Sequence, residues 1–433
     1  MTKVNFVILA AGKGTRMRSA IPKVLHKVSG RSMLGHVVAA VESLGKARKI
    51  IVTGHGAEQV EQQFKSPTTI FTQQKEQLGT GHAVQMAIPA LCSDAVVIVL
   101  YGDVPLIRPS TIEKILDVVT ETTMGLLTIN LENPQGYGRI VRNGQQEITE
   151  IIEQKDASVE QLKITEVNTG VLALRSTQLR EWLPKITNNN AQGEYYLTDL
   201  VAIARAEGVE VISVNPESAT EVEGVNNRIQ LSQLERAHQR QLAEVLMESG
   251  TSLADPARFD QRGELNAGTD NFIDINCVFN GSVTIGSNVS IGANCQISDS
   301  TIGDGVSILP NTIIESSVVG DRAVIGPFAR LRPGTELGSD TKVGNFVETK
   351  KAVVGKGSKI NHLSYVGDAQ LGENVNIGAG TITCNYDGVS KHKTDLGDGV
   401  FVGSNSTLVA PIKVDKGGFV AAGSTVTSEV PSD

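Results

Sequence analysis

The chain predicts an α/β domain with a largely parallel sheet, then a linker helix, then a parallel β-helix. Three observations predict it. Residues 1–225 alternate apolar, strand-like runs with helical periodicity. Residues 226–249 carry apolar side chains at helical spacing and contain neither Gly nor Pro. From about residue 273 an aliphatic residue recurs every six positions.

In the first segment the strand candidates are Val4–Leu9, Lys49–Thr53, Ala95–Leu100, Gly125–Ile129 and Val209–Val214. Helical periodicity lies between them, for example at His36–Leu44 and Ile112–Thr120. Ligands of such sheets sit beyond the carboxyl ends of the strands. In the linker, Ile229, Leu231, Leu234, Leu242, Val245 and Leu246 mark a helix that Gly250 ends. The third segment, 250–433, carries a register that begins Ile285, Ile291, Ile297 and runs to Val343. It resumes at Val354 after Thr349 and returns at Leu396 after an irregular insertion, Tyr386–Asp395. The period slips to five at intervals, so three units take 17 or 18 residues. Each hexad makes one flat face of a coil, with the aliphatic residue inward and Gly, Asn, Asp or Ser at the corners.

At 433 residues and a net charge of −8, with no basic run, the chain is not a nucleic-acid binder. Four cysteines (Cys92, Cys277, Cys295, Cys384) form no CxxC pair and read as reduced thiols of a cytoplasmic protein. No apolar run approaches the roughly 18 residues of a membrane span. The N-terminal apolar segment is short and runs into a glycine turn, so no signal peptide is expected.

That turn, Leu9-Ala10-Ala11-Gly12-Lys13-Gly14-Thr15-Arg16-Met17 with Pro22-Lys23 beyond it, lets backbone N–H groups approach a ligand among cations. The simplest ligand is a nucleoside polyphosphate. A P-loop is excluded because no GxxxxGK precedes Ser or Thr. A dinucleotide fingerprint is excluded because Met17 stands where the third Gly would. Asp103, after an aliphatic strand in Tyr101-Gly102-Asp103, can hold Mg2+ against substrate phosphates. Gln74 and the Gly79-Thr80 turn offer an amide and a hydroxyl to a uracil-like edge. Gly136-Tyr137-Gly138-Arg139, Glu153-Gln154-Lys155 and Asn168-Thr169-Gly170 mix polar groups with turn residues.

On the β-helix, Asn361-His362-Leu363-Ser364-Tyr365 occupies one coil, and Asn385-Tyr386-Asp387-Gly388 with Lys391 follows about one coil on. Arg332 and Lys350 are 18 residues apart and should stack on adjacent coils, with nothing acidic repeating beside them. That suits a sugar phosphate. His is the natural side chain for a base near neutral pH.

The opening loop resembles the sugar-nucleotide pyrophosphorylases, with their G-x-G-T-R-M and Pro-Lys fingerprint. With Glu-Gln-Leu-Gly-Thr, Tyr-Gly-Asp, Gly-Tyr-Gly-Arg-Ile, Asn-Thr-Gly, Glu223-Gly-Val-Asn226-Asn-Arg and the β-helix, essentially the whole chain resembles a bacterial bifunctional family. Its members are N-acetylglucosamine-1-phosphate uridylyltransferases and glucosamine-1-phosphate N-acetyltransferases. The resemblance implies a Rossmann-like nucleotidyltransferase domain (1–225) and a left-handed β-helix (250–433), and it implies precursor supply for peptidoglycan and lipopolysaccharide. By resemblance, Leu9, Ala10, Ala11, Gly12, Gln74, Gly79 and Thr80 bind the uridine part of UTP. Tyr101 and Gly102 belong to the same site, and Arg16 and Lys23 face the phosphates. Asp103 and Asn226 hold Mg2+, and Gly138, Glu153 and Asn168 hold N-acetylglucosamine 1-phosphate.

In the second site the resemblance makes His362 the general base. Arg332, Lys350, Tyr365, Asn376 and Lys391 would bind glucosamine 1-phosphate, and Asn385 and Tyr386 would assist orientation and the oxyanion. Ala379, Ser404 and Ala422 would line the acetyl-CoA groove. It implies a homotrimer, which outward aliphatics such as Val318 and Val353 allow. The family carries a basic C-terminal tail that this chain, ending at Asp433, is expected to lack, with weaker acetyl-CoA binding as the consequence. The alternative is a single-function pyrophosphorylase with a regulatory or oligomerising β-helix.

Overall fold

In the computed structural model the described residues are 3–45 and 48–432. They form two compact units, residues 1–235 and 236–433. The first unit is built on strands β1 (Val4–Ala10), β2 (Arg48–Thr53), β3 (Thr69–Gln73), β4 (Val96–Tyr101), β5 (Thr123–Asn130), β6 (Arg139–Arg142), β7 (Ile148–Ile152), β8 (Glu166–Arg175) and β9 (Glu210–Val214). Helices α1 (Met33–Glu42), α2 (Ala57–Phe64), α3 (Thr80–Ala87), α4 (Pro109–Asp117), α5 (Ser176–Trp182) and α6 (Asp199–Ala206) connect them. The main sheet runs β9-β5-β8-β4-β1-β2-β3, and the β6–β7 hairpin joins it through β8.

β1 shows why its sequence reads as a continuous apolar run. Val7 and Leu9 enter one core cluster, while Phe6, Ile8 and Ala10 enter another. Helices cover both faces, so neither face of the strand needs polar residues. The sheet is parallel across β4, β1, β2 and β3, but β8 lies antiparallel between β4 and β5. The sequence reading contains no strand there. The pairing of β8 shifts register between Asn168 and Leu172, so its period-two signal is broken at Asn168-Thr169-Gly170.

Helix α7 spans Arg228–Glu248. Of its predicted apolar face, Leu234 and Leu246 are buried, whereas Ile229 and Val245 are exposed. Leu234 packs with Met17, Val28 and Met33 in the first unit. Ala243 and Leu246 join Phe259 and Ile273 in the core of the second.

The second unit stacks parallel strands in columns. Ile273, Ile291, Ile308, Ile325, Val343, Ile360, Ile377, Val402 and Val420 stand in register in one of them. The step between them is 17 or 18 residues except from Ile377 to Val402, where the Tyr386–Asp395 insertion adds to the coil. Every hexad aliphatic from Ile285 to Val420 is buried. Two inward positions are hydroxyls instead. Thr349 Oγ1 pairs with Thr335 Oγ1 at 3.0 Å, and Thr383 Oγ1 donates to Gly367 O at 3.0 Å. A buried hydroxyl is tolerated because it is hydrogen-bonded.

One corner departs from the expected small or polar residues. Asn276, Asn294 and Asn311 turn it at φ near 60°, as expected. The same corner then carries Phe328, Phe346 and Leu363 at φ of 56°, 56° and 50°. Their side chains are 50%, 55% and 62% exposed, and the two Phe rings stack with centroids 5.3 Å apart.

Candidate active site

β1 and β4 are neighbours, so the loops after them leave the same sheet edge. Gly102 N donates to Leu9 O at 2.9 Å, which ties the two loops together. Gly14, at φ 58°, must be glycine for a second reason: a Cβ there would stand 2.7 Å from Lys23 Cβ. Lys23 is thereby packed against the loop. The chain returns to this edge at Val225, whose N donates to Asp103 O at 3.0 Å. That contact brings Asn226 alongside. Asn226 Oδ1 accepts from Arg16 Nη2 at 3.0 Å and from Lys23 Nζ at 3.3 Å. Lys23 also makes an ion pair with Asp103, and both side chains are largely buried.

Leu9–Gly12, Lys23, Gln74, Gly79, Thr80, Tyr101 and Asp103 line one cavity of about 210 Å³, together with Gln77 and Glu194. Arg16, Tyr101, Asp103, Gln135–Tyr137, Thr169 and Asn226 line a second of about 430 Å³. Tyr101 and Asp103 border both. The fold therefore makes a two-lobed cleft with a carboxylate and two cations at the junction. Thr80 Oγ1 accepts from Leu197 N at 3.1 Å, which fixes the hydroxyl at the start of α3.

Gly138, Glu153 and Asn168 form a group of their own. Asn168 N donates to Gly138 O at 2.9 Å, and a Cβ on Gly138 would lie 3.5 Å from the Glu153 carboxylate. Glu153 Oε1 accepts from Thr198 Oγ1 at 3.1 Å. Burial raises the Glu153 carboxyl above the usual range, with nearby Asp156, Asp199 and Glu194 adding to it. Burial likewise raises the Tyr101 hydroxyl, and Glu153 and Asp103 add to that from their positions beside it. Gly102 lines neither cavity; its part is the close approach to Leu9. Gln77, Glu194 and Thr198 were not singled out by sequence. Gln77 sits inside the Glu-Gln-Leu-Gly stretch and Glu194 follows the turn glycine Gly193, at φ 65°, so both could have been, whereas Thr198 follows no strand end or glycine turn.

In the second unit, the strand pairing sets Leu331 against Thr349, so Arg332 and Lys350 do stack on adjacent coils. The expectation that no acid accompanies them is overturned. Arg332 Nη1 bonds Glu348 Oε1 at 2.7 Å, and Lys350 Nζ lies 3.9 Å from Asp368 Oδ2. The reason is geometric. A coil position meets diagonal neighbours as well as the residue directly above, and Asp368 is itself one coil beyond Lys350. Asp368 also accepts from Asn385 Nδ2, which lies 3.4 Å from Tyr365 Oη. Lys391 joins this cluster, and the neighbouring Lys350 ammonium holds its pKa below the ordinary lysine value. The insertion that carries Lys391 is closed by His392 N to Asn385 O at 2.9 Å and by Tyr386 bridging Lys391.

His362 is exposed at the end of its strand. Its Nδ1 lies 2.7 Å from Asn345 Oδ1. An amide oxygen only accepts, so Nδ1 carries a hydrogen, and in the neutral ring the lone pair is on Nε2. Among the described residues no hydrogen bond joins His362 to the Lys350 cluster. Asn376 lies one residue before Ile377 in the first column, between Lys359 and Phe401. Tyr386 is 59% exposed and turns its hydroxyl back to Gly388 O. Ala379, Ser404 and Ala422 each follow the column residues Ile377, Val402 and Val420 by two, so they stack at one edge of successive coils.

Among the described residues no cluster of three His, Cys, Asp or Glu side chains could hold a metal without help from substrate. Asp103 and Asn226 nevertheless both contact the Lys23 ammonium, so the space between their oxygens favours a cation.

Three family models match the chain: the MobA-like NTP transferase domain at residues 6–143, the GMPPB C-terminal domain at 263–347, and the hexapeptide repeat of succinyl-transferase at 394–428. The bifunctional protein GlmU of Marinobacter nauticus is 59% identical over 430 residues, covering 99% of this chain and 95% of its own. The GlmU proteins of Cellvibrio japonicus and Acinetobacter baylyi are 54% and 52% identical over 427 residues, each covering 99% of this chain and 94% of its own. With that identity running through both the two-lobed cleft and the β-helix, the chain belongs to the family of bifunctional GlmU proteins.

Proposed function

We propose that the N-terminal cleft transfers a uridylyl group from UTP to N-acetylglucosamine 1-phosphate, and that the β-helix acetylates glucosamine 1-phosphate from acetyl-CoA. Family membership makes the chain a bifunctional enzyme with a nucleotidyltransferase half and an acyltransferase half. We assign the first step to residues 1–225 and the second to 250–433, with 226–249 as the link. The observation that carries the first assignment is the pair of cavities sharing Tyr101 and Asp103. One lobe holds the nucleotide and the other the sugar phosphate, so the reacting phosphates meet at the junction.

There a phosphate oxygen of the sugar attacks the α-phosphorus, and pyrophosphate departs. Lys23 and Arg16 balance the charge that spreads over the phosphoryl oxygens, so rate comes from positioning and electrostatics. Asp103 and Asn226 fit Mg2+, which keeps several waters and takes its other ligands from phosphates. When bound it would supply further neutralisation of phosphate charge. Arriving phosphates offer Lys23 a new partner, which frees the oxygens of Asp103 and Asn226.

On the β-helix, the neighbouring Lys350 and Lys391 fit the phosphate of glucosamine 1-phosphate, with Asp368 beside Lys350 and itself held by Asn385. The amine attacks the thioester carbonyl, the His362 Nε2 lone pair takes its proton, and the CoA thiolate leaves and is protonated. The exposed column Phe328, Phe346 and Leu363 ends beside His362. Such a patch supports a homotrimer in which a second copy covers it. Light scattering tests that. Four unpaired cysteines and the use of a CoA thioester fit a cytoplasmic setting. A purely regulatory β-helix would leave the Lys350 cluster and His362 without a substrate.

The decisive assay supplies glucosamine 1-phosphate, acetyl-CoA, UTP and Mg2+ and omits one at a time. Free CoA should need the first two, and pyrophosphate should need all four. No CoA release from the full mixture, by a protein that still yields pyrophosphate from N-acetylglucosamine 1-phosphate, UTP and Mg2+, would refute the second activity.

A further inference from the structure

Gln74 is 3% exposed and lines the cavity assigned to the nucleotide. Its amide nitrogen lies 3.0 Å from Gly79 O and 3.1 Å from His82 Nδ1. A carbonyl oxygen can only accept, so the group facing Gly79 O is the NH2 and not the amide oxygen. Both amide hydrogens are then used, one by Gly79 O and one by His82 Nδ1. Nδ1 must carry a lone pair, which makes His82 the neutral Nε2–H tautomer. Gln74 Oε1 remains, and it can only accept. His82 itself does not border the cavity; it sits in the first turn of α3 with the Tyr195 ring beside it, centroids 6.5 Å apart.

We infer that His82 is a positioning residue for base selectivity: its Nδ1 lone pair holds the Gln74 amide so that Oε1 faces a pyrimidine N3 that carries a hydrogen. Uracil has that N3–H. Cytosine has a lone pair at N3, which Oε1 repels. Gly79 O is the first lock on the amide and His82 is the second. With His82 gone, only Gly79 O holds the amide, and the whole group can turn over to set its NH2 against the base, where it would donate to cytosine N3. The inference rests on the nucleotide reading of this cavity.

The test compares kcat/KM for UTP and CTP in the wild type, His82→Leu and His82→Asn. The Asn side-chain oxygen stands near the place of Nδ1 and can accept in its stead. His82→Leu should lower the UTP:CTP ratio about tenfold, one hydrogen bond's worth. His82→Asn should keep the ratio within about threefold of wild type. An unchanged ratio in His82→Leu, or equal losses in both variants, overturns the inference. A wild type without preference for UTP, together with no effect of Gln74→Ala, overturns the nucleotide reading as well. If His82→Leu does not fold, spectra of the wild-type protein labelled with 15N-histidine decide. An unprotonated Nδ1 at His82 is expected, and a protonated Nδ1 overturns the inference.

Discussion

Replacing Gly170 by alanine puts a methyl group where the cleft has no room for one. Gly170 follows Asn168 and Thr169 in β8 and has φ of 92°, a conformation that L side chains rarely adopt. A Cβ there would stand 2.6 Å from Tyr101 Cε2 and 2.9 Å from Cζ. Backbone strain contributes about 1–2 kcal/mol, and forcing a methyl into packed space about 1–3 kcal/mol more. If the ring stays, Gly170→Ala therefore destabilises the first unit by about 2–5 kcal/mol. If the ring yields, it moves towards the cavities that it borders, and the loss appears as a higher KM for both substrates of uridylyl transfer. The single tryptophan of the chain, Trp182, is 2% exposed in the core of the first unit, so its fluorescence reports unfolding of that unit. Urea titration by Trp182 emission, with KM for UTP and for N-acetylglucosamine 1-phosphate measured in parallel, gives both readouts. A variant with wild-type midpoint and wild-type KM values would refute the packing argument.

Asp103→Asn should lower pyrophosphate release by roughly 10²–10³-fold, the usual scale for one preorganised electrostatic contact. CoA release should be unchanged, and near-normal pyrophosphate release at saturating Mg2+ would remove Asp103 from the site. His362→Ala should lower acetyl transfer by about 10²–10⁴-fold while uridylyl transfer survives; loss of both would indicate a folding defect. Glu153 has a raised carboxyl pKa from burial, so its folded state favours the protonated form. Its contribution to stability is full below the ordinary carboxylate pKa and is lost as pH rises through the raised value. Glu153→Gln should therefore stabilise the first unit at neutral pH but not at pH below that window, by Trp182 emission, and should weaken sugar-phosphate binding.

Much of the fold was readable because its rules act along the chain. β1 is buried on both faces, so its run Val4–Leu9 could be seen directly. The hexads are a covalent count, and the inward residues found in the structure are those that the count picks out. The corner at Phe328, Phe346 and Leu363 was not readable, since large apolar residues rarely adopt positive φ. β8 was hidden by the irregularity that its own Asn-Thr-Gly creates. The acid beside Lys350 could have been found: the spacing that links Arg332 to Lys350, carried one coil further, reaches Asp368. Glu348 beside Arg332 could not, because a diagonal contact depends on side-chain direction.

What the sequence alone determined is the order of the two folds, the glycine loop with its cations, and the coil register. Each follows from local backbone freedom or from spacing along one chain. Only the tertiary structure decided that Asn226, more than two hundred residues after Arg16, shares its oxygen with Arg16 and Lys23. It also decided that Tyr101 divides one cleft into two lobes and that His82 orients Gln74. Those relations are set by which strand ends share a sheet edge and by which hydrogens are already taken.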